Sequence, residues 1–301
     1  MPLSVHPVTQ LRQPWRIIGG LLPLLLTLGM AGCSAVKLSY NNAVELSHWR
    51  LNSYLDFNDT QSLRVRADLA LLLAWHRSSE LPLYVGTLEK LQRMASSSVT
   101  PEQVCDLFTD FKSRFQVILD QTEPTIVALA PTLKAEQLDH LARKFDKRNQ
   151  KWRDEWLAGS LAERSARRVK QLVERAEMLY GRLEEPQLAV LRTSVVASGF
   201  DAAFNYRETL RRQQDALQTL RALQSGTLTE LRARAEVRAL LGRVMNSPDT
   251  AYQNYLGKMT RENCKAFATL HNSSTSAQRR KAIGTLRDYE TDAQTLLAPR
   301  R

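Results

Sequence analysis

The amino-acid sequence predicts an all-α protein built as an elongated bundle of long antiparallel amphipathic helices. Leu, Ala, Arg, Gln and Glu are abundant, whereas Gly, Pro and clusters of β-branched residues are sparse, and this composition favours helix. Apolar residues recur at i, i+3, i+4 and i+7 along most of the chain, and no comparable segment alternates with a period of two. These observations together favour helices over sheets.

The clearest apolar stripe lies in residues 104–119, and similar stripes follow in residues 169–183 and 237–244. We expect each stripe to face a core, because one side of each helix is apolar. The first stripe consists of Val104, Leu107, Phe108, Phe111, Phe115, Ile118 and Leu119. Breaks between helices are predicted near Pro82, Pro101, Pro124 to Pro131, Gly159, Pro186, Ser225-Gly226 and Ser247-Pro248.

A short phrase that ends in glutamine recurs at predicted helix starts. In Thr100-Pro101-Glu102-Gln103, Thr100 is suited to cap a backbone N–H and Gln103 to reach back to the cap, while Val99 and Val104 form a hydrophobic staple. The irregular spacing of the phrases excludes a regular solenoid. The five phrases are FNDTQ, VTPEQ, LKAEQ, LEEPQ and STSAQ, ending at Gln61, Gln103, Gln137, Gln187 and Gln278.

Residues 1–32 have the organisation of a secretory signal peptide. Arg12 and Arg16 precede an uncharged, mostly apolar segment, residues 17–30. This segment is shorter than the roughly 20 residues that a membrane-spanning helix needs. The segment Met30-Ala31-Gly32-Cys33 resembles the lipobox of bacterial lipoproteins, which implies cleavage before Cys33 and acylation of that cysteine.

The predicted mature protein is a periplasmic helical domain of residues 33–301, with a division into two sub-bundles near residue 158 left open. Cleavage removes two arginines and no acidic residue, which leaves 40 basic against 31 acidic side chains. Several acyl chains on Cys33 would hold the protein stably on a membrane. Ser34 stands where sorted lipoproteins retained in the inner membrane carry aspartate, so we expect the periplasmic face of the outer membrane.

Two further cysteines, Cys105 and Cys264, would reside in an oxidising compartment after export. A disulfide between them would close a loop of about 160 residues. The spacing leaves two states open, a disulfide or two buried thiols, because sequence alone does not establish contact.

The most distinctive local string is AWHRSSELPLY, residues 74–84. It supplies the candidate functional cluster Trp75, His76, Arg77, Glu80 and Tyr84. A half-buried histidine near Arg77 and Glu80 is a candidate titrating site. The alternative is a structural cluster at a helix end, in which Arg77 pairs with Glu80 at i+3 and Pro82 stops the helix.

Other catalytic and ligand-binding patterns are weak. The histidines form no i, i+4 pair, and the sequence lacks C-x-x-C, G-x-S-x-G and glycine-rich phosphate loops. We therefore predict no catalytic residue, no metal site and no cofactor. Basic clusters, such as those in residues 143–153 and 164–175, are interspersed with acids and favour solvated helix faces. A summed positive field would suit anionic envelope polymers, anionic lipids or acidic proteins, and export argues against nucleic acid.

Two resemblances follow from these motifs. The Thr-x-x-Gln helix starts resemble those of the Spy and CpxP type of small periplasmic chaperones, although such proteins are soluble and much shorter. A fuller likeness combines the lipobox with Leu38-Ser-Tyr-Asn41, FNDTQ, Leu72–Arg77 with Glu80–Tyr84, LKAEQL and LEEPQL. In that order these motifs resemble a family of bacterial lipoproteins defined by domain of unknown function 6279. The resemblance implies an envelope lipoprotein and supplies no activity.

The sequence thus predicts a lipid-anchored envelope protein whose partners are the membrane, through Cys33, and envelope proteins or anionic polymers. A non-catalytic binding or chaperone-like role is the first hypothesis. The alternative is an envelope enzyme that acts on peptidoglycan or lipid with a site around His76.

Overall fold

The computed structural model describes residues 32–298, with side chains from residue 36. Residues 1–31 of the predicted signal peptide and the side chain of Cys33 lie outside the described part. Within it the chain is all-helical, as predicted. The helices are α1 (Gly32–Asn41), α2 (Ala43–Leu55), α3 (Asp59–Trp75), α4 (Leu81–Ala95), α5 (Pro101–Asp120), α6 (Glu123–Leu129), α7 (Ala135–Trp152), α8 (Leu161–Tyr180), α9 (Glu185–Ala197), α10 (Ala202–Gln224), α11 (Glu230–Met245), α12 (Thr250–Asn272) and α13 (Ser276–Leu297).

Three short turns of other helical types join these elements. Residues His76–Glu80 and Arg153–Leu157 form π-helical turns, and Ala130–Thr132 form a 3₁₀ turn. Each π turn follows directly on an α-helix, after Trp75 and after Trp152.

The glutamine phrases start helices because each glutamine accepts a hydrogen bond from the backbone N–H of the residue three positions earlier. At Gln61, Gln103 and Gln278 the capping residue also accepts from the backbone N–H of the glutamine, which completes a capping box. At Gln137 and Gln187 the N-cap residues are Lys134 and Glu184, whose side chains do not cap the helix. There the hydrogen bond from the N-cap backbone N–H to the glutamine side chain supports the helix start alone.

Four of these glutamines also form two reciprocal pairs. Gln61 and Gln137 exchange side-chain amide hydrogen bonds of 3.2 and 2.9 Å, and Gln187 and Gln278 do the same. Each amide nitrogen also donates to the carbonyl that lies five residues before its partner, at Thr132, Asp56, Ser273 and Arg182. Each pair therefore joins two helix starts with local two-fold symmetry.

The buried apolar side chains form five separate clusters within the described residues. Each lies where two to four helices meet; the cluster of Leu81, Ala293 and Leu296, for example, joins α4 to α13. Packing across residue 158 is extensive, because α13 lies against α4 and α12 lies against α5.

A disulfide joins Cys105 of α5 to Cys264 of α12, with a Cα–Cα distance of 5.5 Å. Cys264 is fully buried beside Val99, Val104 and Ala268. The bridge therefore holds one side of α5 firmly against α12.

Candidate functional site

The π turn His76–Glu80 places the candidate cluster at the junction of α1, α3 and α4. The backbone N–H of Leu81 donates to the His76 carbonyl, five residues back. Proline lacks an N–H, and its ring clashes with the carbonyl four residues earlier in an α-helix. The wider π turn accommodates Pro82, so the predicted helix end at this proline is wrong and the chain continues directly into α4.

His76 contacts two tyrosines. Its Nδ1 lies 2.9 Å from the Tyr40 hydroxyl, and its ring centroid lies 5.7 Å from that of Tyr40 and 5.5 Å from that of Tyr84. Burial lowers the pKa of His76, and the charge of Glu80 partly opposes that shift. The imidazole is therefore mainly neutral at pH 7.

The His76 side chain borders an open apolar cleft of about 220 Å³ between α2, α3 and α5. Leu69, Leu72 and Leu73 of α3 line the cleft beside His76, as their shared helix face requires. Ile118 lies on the opposite side.

Arg77 and Glu80 do not form the predicted i+3 pair. Arg77 lies over the Tyr40 ring, 5.4 Å from its centroid, and donates to Asn41 Oδ1 at 3.2 Å. Glu80 is buried, and its Oε1 lies 3.5 Å from Arg114 Nη1 of α5. The π turn explains the difference, because its wider spacing no longer places residues three apart on one face.

Trp75 and Tyr84 complete the cluster. The Trp75 ring lies edge-on to His76 at 6.4 Å. Tyr84 packs with the apolar cluster around Leu81, and burial and the charge of Glu80 raise the pKa of its hydroxyl. The structure thus gathers the aromatic rings around His76 and directs Arg77 towards α1 and Glu80 towards α5.

Sequence reasoning missed the partners of this cluster. Tyr40 of α1 and Arg114 of α5 are distant in sequence, and no periodicity links either to His76. Lys37 of α1 also forms an ion pair with buried Asp292 of α13, at 3.3 Å. Together the contacts of Tyr40, Asn41 and Lys37 fix α1 on the bundle, so the cluster acts as a docking site for the N-terminal helix.

A second tyrosine–histidine pair is fully internal. His271 Nε2 donates to the Ser97 carbonyl at 2.8 Å, and Nδ1 accepts from the Tyr180 hydroxyl at 2.8 Å. Burial lowers the pKa of His271 and raises that of Tyr180. This pair joins α8 to α12, so the protein uses the same pair of side chains twice at contacts between helices.

The phenylalanines of α5 form a different surface. Phe108, Phe111 and Phe115 are 47, 46 and 51% exposed, so the expectation that the whole stripe faces a core is wrong for these three. Val104 and Leu107 lie on the same helix face nearer the start of α5 and are buried, Val104 beside Cys264 and Ala268 of α12. The rest of residues 36–298 therefore covers these three side chains only in part.

Two grooves flank Phe108. One, of about 620 Å³, lies between α5, the end of α11 and α12, and includes Tyr252 and Leu256. The other, of about 380 Å³, lies between α5, α8, α9 and α12 and includes Phe267. We call the exposed set Phe108, Phe111, Phe115, Leu256 and Phe267 the phenylalanine surface.

Two further kinds of feature are absent from residues 32–298. No group of three or more His, Cys, Asp or Glu side chains is placed to hold a metal ion. No described helix is both long and apolar enough to cross a bilayer.

Comparison with known proteins places the chain in a family. Neither the curated proteins nor the solved structures include a match. The family model of DUF6279, a family of unknown function, matches residues 53–238. This match covers more than half of the chain and contains α3, the π turn and α4, and it extends through α10. The chain therefore belongs to the DUF6279 family.

Proposed function

We propose that this protein is a lipoprotein, anchored through acylated Cys33 on the periplasmic face of a bacterial outer membrane, that binds apolar segments of other envelope proteins without catalysing a reaction. The phenylalanine surface is the observation that carries the binding role. Contiguous exposed apolar patches on a folded protein mark interaction sites.

The position of this surface supports the proposal. Phe108, Phe111 and Phe115 lie on a helix that a disulfide and a buried cluster hold to α12. Such a rigid surface binds without a large loss of conformational entropy. Lys112 and Arg261 border the larger groove, so apolar segments that carry acidic residues fit it best.

The disulfide supports export. Cys105 and Cys264 are bonded, and disulfides persist in the periplasm but are rare in the cytosol. This fits the signal peptide and lipobox of the sequence.

An aggregation assay tests the binding role. The mature chain with Cys33→Ser should suppress aggregation of a chemically denatured client at stoichiometric ratios. Replacing Phe108, Phe111 and Phe115 with serine should abolish most of that effect, because the three side chains supply the apolar contact area.

A matched control replaces Leu71, Leu161 and Leu231 with serine, since these leucines are more exposed than the phenylalanines and lie outside α5. We expect this variant to retain the activity of the parent chain. No suppression by the parent at excess, or equal loss in both variants, would refute the role of the phenylalanine surface.

An enzyme with its site around His76 is the second candidate. The observation that favours it is Glu80, which is buried and whose Oε2 has no hydrogen-bond partner within residues 32–298. A Glu80→Gln variant that folds normally but loses the cellular phenotype of the wild type would favour the enzyme. Retention of the phenotype would favour the binding protein.

A further inference from the structure

The helix that begins beside Cys33 has one face attached to the bundle and one face free. The hydrogen bonds from Asn42 N to the Leu38 carbonyl, at 3.1 Å, and from Leu46 N to the Asn42 carbonyl, at 3.0 Å, carry the i to i+4 pattern across the junction of α1 and α2. The two elements therefore form one nearly continuous helix that starts at Gly32, next to the predicted acylation site.

Contacts with the bundle fix the rotation of this helix about its axis. Tyr40 bonds His76, Lys37 pairs with Asp292, and His48 is buried beside Phe57. These three side chains define the inner face. The outer face is set by the same geometry, because a helix turns about 100° for each residue.

Three large apolar side chains occupy the outer face. Leu38, Leu46 and Trp49 are 66, 52 and 67% exposed. At 3.6 residues per turn they lie within roughly 80° of one another, and they extend over about 16 Å of helix. The free face is thus an apolar strip that starts one and a half turns after Cys33.

The charges beside this strip suit an anionic lipid surface. Glu45 is the acidic residue at one edge, and Arg66 pairs with it at 3.1 Å. Arg50 is exposed at the other edge. Because Glu45 is paired, the cationic Arg50 dominates the field at the strip, and cations near a bilayer surface favour anionic headgroups.

We propose that the Leu38–Leu46–Trp49 strip lies in the membrane–water interface and forms a second attachment beside the acyl chains of Cys33. Tryptophan is enriched at that interface, and an amphipathic helix binds there with its apolar side chains inserted among the lipids. This inference rests on the proposed anchoring at Cys33. It makes α1–α2 an interfacial helix that lies along the bilayer and fixes which side of the bundle faces the membrane.

Fluorescence quenching by brominated lipids tests this orientation. The acylated protein, purified from membranes, is reconstituted into phosphatidylethanolamine–phosphatidylglycerol vesicles with or without bromine on the acyl chains. The difference in tryptophan fluorescence between the wild type and Trp49→Phe gives the fluorescence of Trp49 alone. We expect brominated lipid to lower that signal about twofold or more, because Trp49 would lie within reach of the upper acyl chains.

Two charge variants supply the control. Leu38→Glu with Leu46→Glu should remove the quenching of Trp49, whereas Leu161→Glu with Leu231→Glu, at leucines of α8 and α11 that are more exposed, should leave it unchanged. The proposal would be overturned if Trp49 remained quenched in both double-glutamate variants. It would also be overturned if brominated lipid did not quench Trp49 fluorescence in the wild type.

Mass spectrometry of the same sample separates this failure from that of the anchor. Unmodified Cys33 would defeat the anchoring proposal. Acylated Cys33 with unquenched Trp49 would defeat the interfacial helix alone.

Discussion

At the scale of single residues, His76 shows how local geometry decides between a reactive group and a structural one. Its Nδ1 bonds Tyr40, and its ring lies between Tyr40 and Tyr84. Burial lowers its pKa, so the imidazole is held in the neutral form. These contacts make His76 a link between α1 and α4.

This link has a pH dependence. A histidine whose pKa is lower in the folded state than its ordinary value of 6.5 stabilises the fold fully above that value. Below it, the unfolded chain takes up a proton that the folded protein does not, so stability falls as the pH drops from about 6.5. We expect the free energy of unfolding, measured in urea, to decline over this range, and His76→Gln to reduce the decline.

Tyr40→Phe is the matched control, because it removes the hydrogen bond and keeps the histidine. Each variant should have a free energy of unfolding about 1 kcal/mol lower at pH 7. In Tyr40→Phe that free energy should still decline below about pH 6.5, because the histidine is kept. If the free energy of unfolding of His76→Gln declined with falling pH as steeply as that of the wild type, this account would be contradicted. Unchanged stability with loss of the cellular phenotype would favour a catalytic histidine.

At the scale of elements, the helix starts are the best-determined feature of the chain. Each glutamine closes its own first turn, and two pairs of starts are joined through reciprocal amides. Gln103 makes the same local contact with Thr100 but is exposed. The five similar phrases therefore fall into paired and unpaired classes that sequence does not distinguish.

This difference predicts unequal costs of substitution. Gln187→Ala should lower the free energy of unfolding by about 2 to 4 kcal/mol, because it removes both hydrogen bonds to the buried amide of Gln278 and takes the Gln187 partner away from the Ser273 carbonyl and the Glu184 N–H. Gln103→Ala removes a capping contact alone and should cost about 1 kcal/mol or less. Urea denaturation measures both, and equal costs would show that the pairing contributes no stability.

The elements also show what sequence can and cannot predict. Capping chemistry and apolar periodicity are local, and they correctly predicted the helical fold and the helix starts. Periodicity placed Phe108, Phe111 and Phe115 on an apolar face, but it did not reveal that this face is buried at Val104 and Leu107 and about half exposed at the phenylalanines. At Pro82 the expected break did not occur because one extra residue per turn accommodates the ring. Arg114 and Tyr40 reach the candidate cluster through tertiary packing, which local patterns do not contain.

At the scale of the whole molecule, contacts between distant parts of the chain hold the bundle together. The α13 helix packs on α4 and α1, and the disulfide joins residues 159 positions apart. Cysteine spacing left this pairing open, because contact at such a separation depends on the complete fold.

The long loop makes the disulfide a global constraint. Reduction, or Cys105→Ser with Cys264→Ser, should lower the free energy of unfolding by about 2 to 5 kcal/mol, mainly because the unfolded chain gains freedom. Urea titrations with and without a phosphine reductant measure the loss. The reductant should have no effect on the double serine variant, and a reductant-insensitive parent would contradict the prediction.

The start of α1 at Gly32 and its docking through Lys37 and Tyr40 leave no slack between residue 33 and the bundle. Many tethered proteins sample a sphere whose radius is set by a linker. With Cys33 anchored and a polypeptide bound as proposed, that polypeptide would instead be held at a height above the lipid that the rigid body itself sets, so the reach of the protein into the surrounding compartment would equal its own dimensions.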